Sequence, residues 1–133
     1  MGRGELVIVT DNDVRDDIVE FLQQRGYAVH RVRDTLGEDA TDDQVAHLTN
    51  DLRAILITGN HRHLKVRITR KPEYNHQRYR HAGRISLTCR QPLGPVRLRC
   101  FIDLLEAEHE HQQRQGDRRL IAEIADDYAK IER

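Results

Sequence analysis

The sequence predicts an α/β domain, a central and mostly parallel sheet flanked by helices on both faces, and three observations carry that prediction. ELVIVT (5–10), YAVHRV (27–32) and AILIT (54–58) are short, β-branched apolar runs bounded by polar residues, the pattern of strands in a parallel sheet. Between the first two, Val14, Ile18, Phe21 and Leu22 fall at helical spacing. Between the second and third, Thr41 followed by Asp42 and Asp43 has the chemistry of a helix start. Strand, helix, strand, helix, strand is the βαβ rhythm. At 133 residues the chain is read as a single domain, with residues 1–90 as the core sheet and helices and 91–133 as a C-terminal helical pair.

Each element has a local justification. Asn12 or Asp13 can cap the first helix, and Gly26 stands where a helix C-terminus favours a residue of positive φ. RDTLGEDATDD (33–43) reads as a loop ending at the Thr41 cap, and a second helix follows over 42–51. LKVRIT (64–69) alternates apolar and basic residues, as a half-exposed strand does, and Pro72 to Arg80 is irregular or a short helix. GRISLTC (83–89) is another strand, and Pro92, Gly94 and Pro95 mark a loop. Leu98, Phe101, Ile102 and Leu105 open a long amphipathic helix broken near Gly116. Asp117 then caps a last helix with Leu120, Ile121, Ile124, Tyr128 and Ile131 on one face.

Aromatic residues are 5% of the chain and Trp is absent, so the core must be aliphatic. No apolar run approaches the roughly 18 residues of a membrane span, and MGRGELVIVT lacks the apolar segment of a signal peptide. Cys89 and Cys100 lack metal-type spacing and read as two buried thiols in a reduced cytoplasm. The net charge of zero conceals segregation. Residues 1–60 carry 6 Lys/Arg against 12 Asp/Glu, residues 61–99 carry 11 against the single acid Glu73, and residues 100–133 carry 5 against 9. These charges can be ordinary solvated faces, or they can mark a polyanion-binding surface beside a cation-binding one.

In open parallel sheets the carboxyl ends of the strands form the rim where ligands bind. Strand one delivers Asp11 and Asp13 to that rim, strand three delivers Asn60, and the loop before helix two brings Asp42 and Asp43 with Glu38 and Asp39 nearby. Oxygen donors of this kind suit Mg²⁺ or Mn²⁺, which are held by few carboxylates and several waters. Each residue also has a plain structural role open to it: Asn12 or Asp13 as a cap, Asp42 and Asp43 as complements to a helix dipole, Asn60 as a turn former. His61-x-His63 reads more simply as solvated than as a zinc pair. Walker, GxGxxG and GxSxG motifs are absent, which leaves nucleotide-binding and acyl-transfer chemistry without their parts.

Taken in order, LVIVTDND, the helix ending QQRGYAVHRVRD, EDATDDQV and AILITGNHRHL resemble the compact PIN-like domains related to VapC-type toxin ribonucleases. In that family a strand runs into Asp-Glu-Asn, and a helix ends in Arg-Gly-(His/Tyr). A Ser/Thr-Asp loop opens the next helix, and a strand ends Thr-x-Asp-x-Asp-Phe. HAGRISL (81–87) looks like the His-Ala-Gly entry to a later strand, so the resemblance covers about residues 6–90. Asp11, Asp42 and Thr58 match the family's positions. Asn12 replaces its Glu, Asn60 and Arg62 replace the two acids after Thr58, and His63 replaces the Phe.

The resemblance implies a PIN-like, metal-dependent, RNA-cleaving nuclease relative, working in a toxin–antitoxin pair with an antitoxin-like protein partner. It makes Asp11, Asp42 and Asn60 the catalytic set, with Mg or Mn held by Asp11, Asp13, Asp42 and Asp43. Arg62, Lys65, Arg67, Arg70 and Lys71 would hold the phosphate backbone, with His63 beside them for water or phosphate contact. Asn60 keeps a carbonyl oxygen but loses the charge, and Arg62 adds a positive charge where a ligand is expected. The alternative is therefore a catalytically degenerate PIN-like protein that binds RNA or a protein partner through 61–99. A third reading makes the C-terminal helices a homodimer interface.

Overall fold

The computed structural model describes residues 6–59, 83–114 and 120–132. The elements in chain order are β1 (Val7–Thr10), α1 (Asp16–Gln24), β2 (Ala28–Arg31), the single turn α2 (Val32–Thr35), α3 (Asp42–Asp51) and β3 (Ile55–Thr58). They continue with β4 (Gly83–Leu87), a short 3₁₀ turn over Gln91–Leu93, α4 (Gly94–Arg114), β5 (Ile121–Ile124) and β6 (Ala129–Glu132). Among the described residues the strands form one sheet in the order β2-β1-β3-β4-β5-β6. Every neighbouring pair is parallel except β5 with β6. The predicted α/β class and the mostly parallel sheet are present.

Period-two alternation divides the sheet into two faces. Ile8, Ile55, Ile57, Ile85, Leu87, Ala122 and Ile124 point to the face covered by α1 and α4, where they meet Ile18, Val19 and Leu22 of α1 and Leu98, Ile102 and Leu105 of α4. Val9, Ala54 and Leu56 point to the opposite face, against Val32 of α2 and Val45 of α3. Helices on both faces make three layers. No helix among the described residues is long and apolar enough to cross a membrane.

Several local expectations hold. Gly26 sits at φ +102° just past α1, a conformation that costs a glycine little. Thr41 caps α3 in a reciprocal box: its hydroxyl accepts from the Gln44 amide at 3.2 Å, and the Gln44 side chain accepts from the Thr41 amide at 2.9 Å.

Others are corrected. Neither Asn12 nor Asp13 caps α1. Arg15 is the cap residue, without a side-chain bond, because the side chains of Asn12 and Asp13 are engaged elsewhere. Val32, the last residue of the expected strand, and residues 33–35 of the expected loop form α2. The second member of the C-terminal helical pair is instead the β5–β6 hairpin. Leu120, Ala122 and Ile124 alternate onto the α1/α4 face, where β4 offers a parallel edge: the Arg84 amide donates to the Leu120 carbonyl at 2.7 Å. Asp126 and Asp127 supply turn chemistry, closed by the Ala125 amide donating to the Tyr128 carbonyl at 2.9 Å. Burial on a waiting sheet face wins over the helical spacing. Cys89 is buried as expected, but Cys100 is exposed on α4. The predicted strand at 64–69 and the irregular Pro72–Arg80 stretch lie outside the described residues.

Candidate functional site at the carboxyl edge of the sheet

β1 is the pivot of the sheet. The crossover through α1 leads to β2 on one side, and the crossover through α2 and α3 leads to β3 on the other, so the connections leave β1 in opposite directions. The carboxyl ends of β1 and β3 are a topological switch point, the place where open α/β sheets form a ligand crevice.

Asp11 and Asp13 stand at that point. The Asp11 amide donates to the Ile57 carbonyl at 3.0 Å, which extends the β1–β3 pairing one residue beyond the strand and holds the Asp11 backbone. Its carboxylate accepts from the Asn12 amide at 2.8 Å and from the buried Thr58 hydroxyl at 3.2 Å. The Asp13 carboxylate accepts from the Gly59 amide at 3.2 Å. A Cβ on residue 59 would lie 3.3 Å from the Asp13 Oδ2, so glycine lets this carboxylate close onto the end of β3.

Although Asp13 keeps contact with solvent, the protein around its carboxyl displaces enough water to raise its pKa above the ordinary value. The Gly59 amide opposes that rise, and the neighbouring Asp11 charge adds to it. Neither carboxylate makes an ion pair among the described residues, whereas nearby Asp16 pairs with Arg31 at 2.6 Å and Asp17 with Arg15 at 3.3 Å.

Asn12 braces the crevice. Its Nδ2 donates to the Glu38 carbonyl at 3.2 Å and, at a longer 3.4 Å, to that of Gly37, which ties the loop before α3 to the end of β1. Its Oδ1 is buried and accepts no hydrogen bond among the described residues. Arg33 reaches the Asn12 carbonyl at 3.4 Å and, with Arg15, supplies positive charge to an open depression also lined by Asn12, Asp13, Asp16 and Asp17.

The other sequence-predicted residues divide as follows. Asp43 is half-buried at the second position of α3, whose start the crossover places at this same edge of the sheet. Asp42 opens α3, and its side chain lies outside the described ones. Asn60, Arg62, His63, Lys65, Arg67, Arg70 and Lys71 lie outside the described residues. Four further arginines of the basic block are described. Arg84 is buried within β4, Arg90 is bound to Asp126, Arg97 stacks on Phe101 with 4.8 Å to the ring centroid, and Arg99 lies 5.6 Å from the Phe21 centroid. These four belong to the fold more than to a free basic surface.

Sequence reasoning missed Gly59 and Thr58 as the groups that hold the two carboxylates, although both are legible as residues at the end of a buried strand. Among the described residues no group of three or more His, Cys, Asp or Glu side chains is placed to hold a metal ion. The donors that are present fit Mg²⁺ or Mn²⁺ in kind: the carboxylates of Asp11 and Asp13, near enough that the charge of one acts on the other, and the side-chain carbonyl of Asn12 between them in the chain. Comparison with family models, with curated proteins and with solved structures returned no match.

Proposed function

We propose that this chain is a PIN-like nuclease relative that binds a divalent cation at the β1/β3 edge and acts on RNA. The observation that carries the reading is the Asp11–Asp13 pair. Two carboxylates converge at a switch point without an ion-pair partner among the described residues, and burial, with the Asp11 charge adding to it, raises the pKa of Asp13. Such an arrangement costs stability unless a cation relieves it.

Asp11 and Asp13 would hold Mg²⁺ or Mn²⁺, with Asn12 Oδ1 as a neutral donor. The resemblance adds Asp42, Asp43 and Asn60. A divalent ion supplies two things to phosphodiester cleavage: it activates water and offsets charge on the scissile phosphate. The chain's own residues do the positioning. Thr58 and Gly59 fix the carboxylates, Asn12 ties the α3 loop to them, and Arg33 and Arg15 attract a phosphate backbone without reading its bases.

The test is a thermal titration with Mn²⁺ and Mg²⁺, paired with an RNA-cleavage assay. Either ion should raise the melting temperature, and Asp11→Asn should abolish both the shift and cleavage. A melting temperature indifferent to millimolar ion would overturn the cation site. An ion-dependent shift without cleavage would instead favour the degenerate RNA- or protein-binding alternative, which the replacement of two family acids by Asn60 and Arg62 supports.

A further inference from the structure

We infer that Ser86 of β4 is a positioning residue for the proposed cation site, acting on Asp11 through the Thr58 hydroxyl; the inference rests on that site binding an ion. Register and alternation place the three residues in one row. Asp11 continues β1 alongside the end of β3, and Thr58 and Ser86 are direct partners between β3 and β4. Ile57, Ile85 and Leu87 face α1 and α4, so Thr58 and Ser86 face the other way, on the side of the sheet where Leu56 packs. From that side the Thr58 hydroxyl donates to the Asp11 carboxylate at 3.2 Å. A Cβ on residue 59 would lie 3.8 Å from the Leu87 carbonyl oxygen, so the end of β4 adjoins the crevice.

Ser86 is 0% exposed, and its Oγ has no hydrogen-bond partner among the described residues. A hydroxyl buried in that state costs stability, which an apolar residue in the same strand would not. On its other side Ser86 is paired with Glu123, whose carboxylate already accepts from the Thr88 and Tyr128 hydroxyls. Towards Thr58 the chemistry is complementary. A hydroxyl gives one proton and accepts on two lone pairs, so Thr58 can donate to Asp11 and accept from Ser86 at once. Adjacent strands lie about 4.8 Å apart, and a rotamer change at Ser86 swings its hydroxyl towards Thr58. Ion binding supplies the reason for that bond. A cation on Asp11 competes with the Thr58 proton for the carboxylate electrons. A Ser86 proton on the Thr58 oxygen polarises the Thr58 hydroxyl, makes it a stronger donor and keeps Asp11 aimed at the ion.

The experiment is a Mn²⁺ titration of melting temperature on the full chain, for wild type, Ser86→Ala, Thr58→Ala and the double variant. Without ion, Ser86→Ala should melt at or above the wild-type temperature, because it removes a buried hydroxyl that has no partner. It should nevertheless need several-fold more Mn²⁺ for the half-maximal shift. Thr58→Ala should need more still, and adding Ser86→Ala to it should cost nothing further, since Ser86 acts through Thr58. Thr10→Ala is the control. Thr10 is also buried at this edge with an unpartnered Oγ1, but alternation from Ile8 turns it to the α1/α4 face, so this variant should keep the wild-type midpoint. A wild type that shows no shift overturns the cation site, and the role of Ser86 with it. A wild-type shift with an unchanged Ser86→Ala midpoint overturns the role of Ser86 alone, as does a double variant in which the two losses add.

Discussion

Two acidic groups share the carboxyl edge of this sheet and are treated oppositely by the fold. At the β1/β3 end, the donors that Asp11 and Asp13 receive among the described residues are neutral: amides of Asn12 and Gly59 and the hydroxyl of Thr58. At the β4/β5 end, Asp126 accepts from the Arg90 amide at 2.7 Å and from its guanidinium at 3.1 Å. Glu123 accepts from the Thr88 hydroxyl and the Tyr128 hydroxyl, each at 2.9 Å. The first pair is oriented, and among the described residues no cation pairs with it. The second is bound to a cation or to hydroxyls that close the strand ends on one another. Position on the rim therefore does not distinguish the two pairs; what distinguishes them is whether a cation of the described chain answers either charge.

The largest expected effect breaks this contrast at its functional end. Asp11→Asn should eliminate the ion-dependent rise in melting temperature, because it removes charge where the ion is proposed to bind while the amide keeps an oxygen for Thr58. Asp126→Ala should leave the ion response intact and lower stability on its own. It removes two hydrogen bonds that tie the residues after β4 to the β5–β6 turn. Arg90 is largely exposed, with its side chain 75% accessible, so the expected loss is about 1 kcal/mol, read by denaturant melts. An ion response that vanished with Asp126→Ala and survived Asp11→Asn would invert the assignment.

The contrast was only half legible in the sequence. ELVIVT and AILIT announce buried strands by composition, so the sequence alone places Asp11 at a strand end. Thr41 and Gln44 likewise announce the α3 cap. Asp13 could not be resolved, because a carboxylate two residues past a strand serves equally as a cap or as a rim residue. The deciding fact is Gly59, 46 residues away in the chain. The paired group was misplaced entirely. Leu120, Ile121, Ile124, Tyr128 and Ile131 satisfy a helical face, while the competing alternation in IAEI and AKIE is only four residues long on each side of Asp126-Asp127. The parallel edge of β4 decides between them, and it is supplied by distant chain. The C-terminal acids could therefore be seen as charges but not as partners of Arg90 and Thr88.

A smaller effect sharpens the comparison most. The raised pKa of Asp13 means that its ionised form costs folded-state stability at neutral pH. Asp13→Asn should therefore make the ion-free protein slightly more stable near neutrality, even though the side chain can still accept from Gly59. As pH falls through the raised folded value, wild-type Asp13 takes up a proton in the folded state before it would in the unfolded chain, and the penalty disappears. The advantage of the variant should then shrink to nothing in acid. With Mn²⁺ present the order should reverse, since the ion favours the ionised carboxylate and the amide offers it less. Melting curves for both proteins, with and without Mn²⁺ and at neutral and acidic pH, read all four conditions. A variant that is less stable than wild type without ion, at neutral pH, would mean that Asp13 acts as an ordinary structural acceptor, like Asp126.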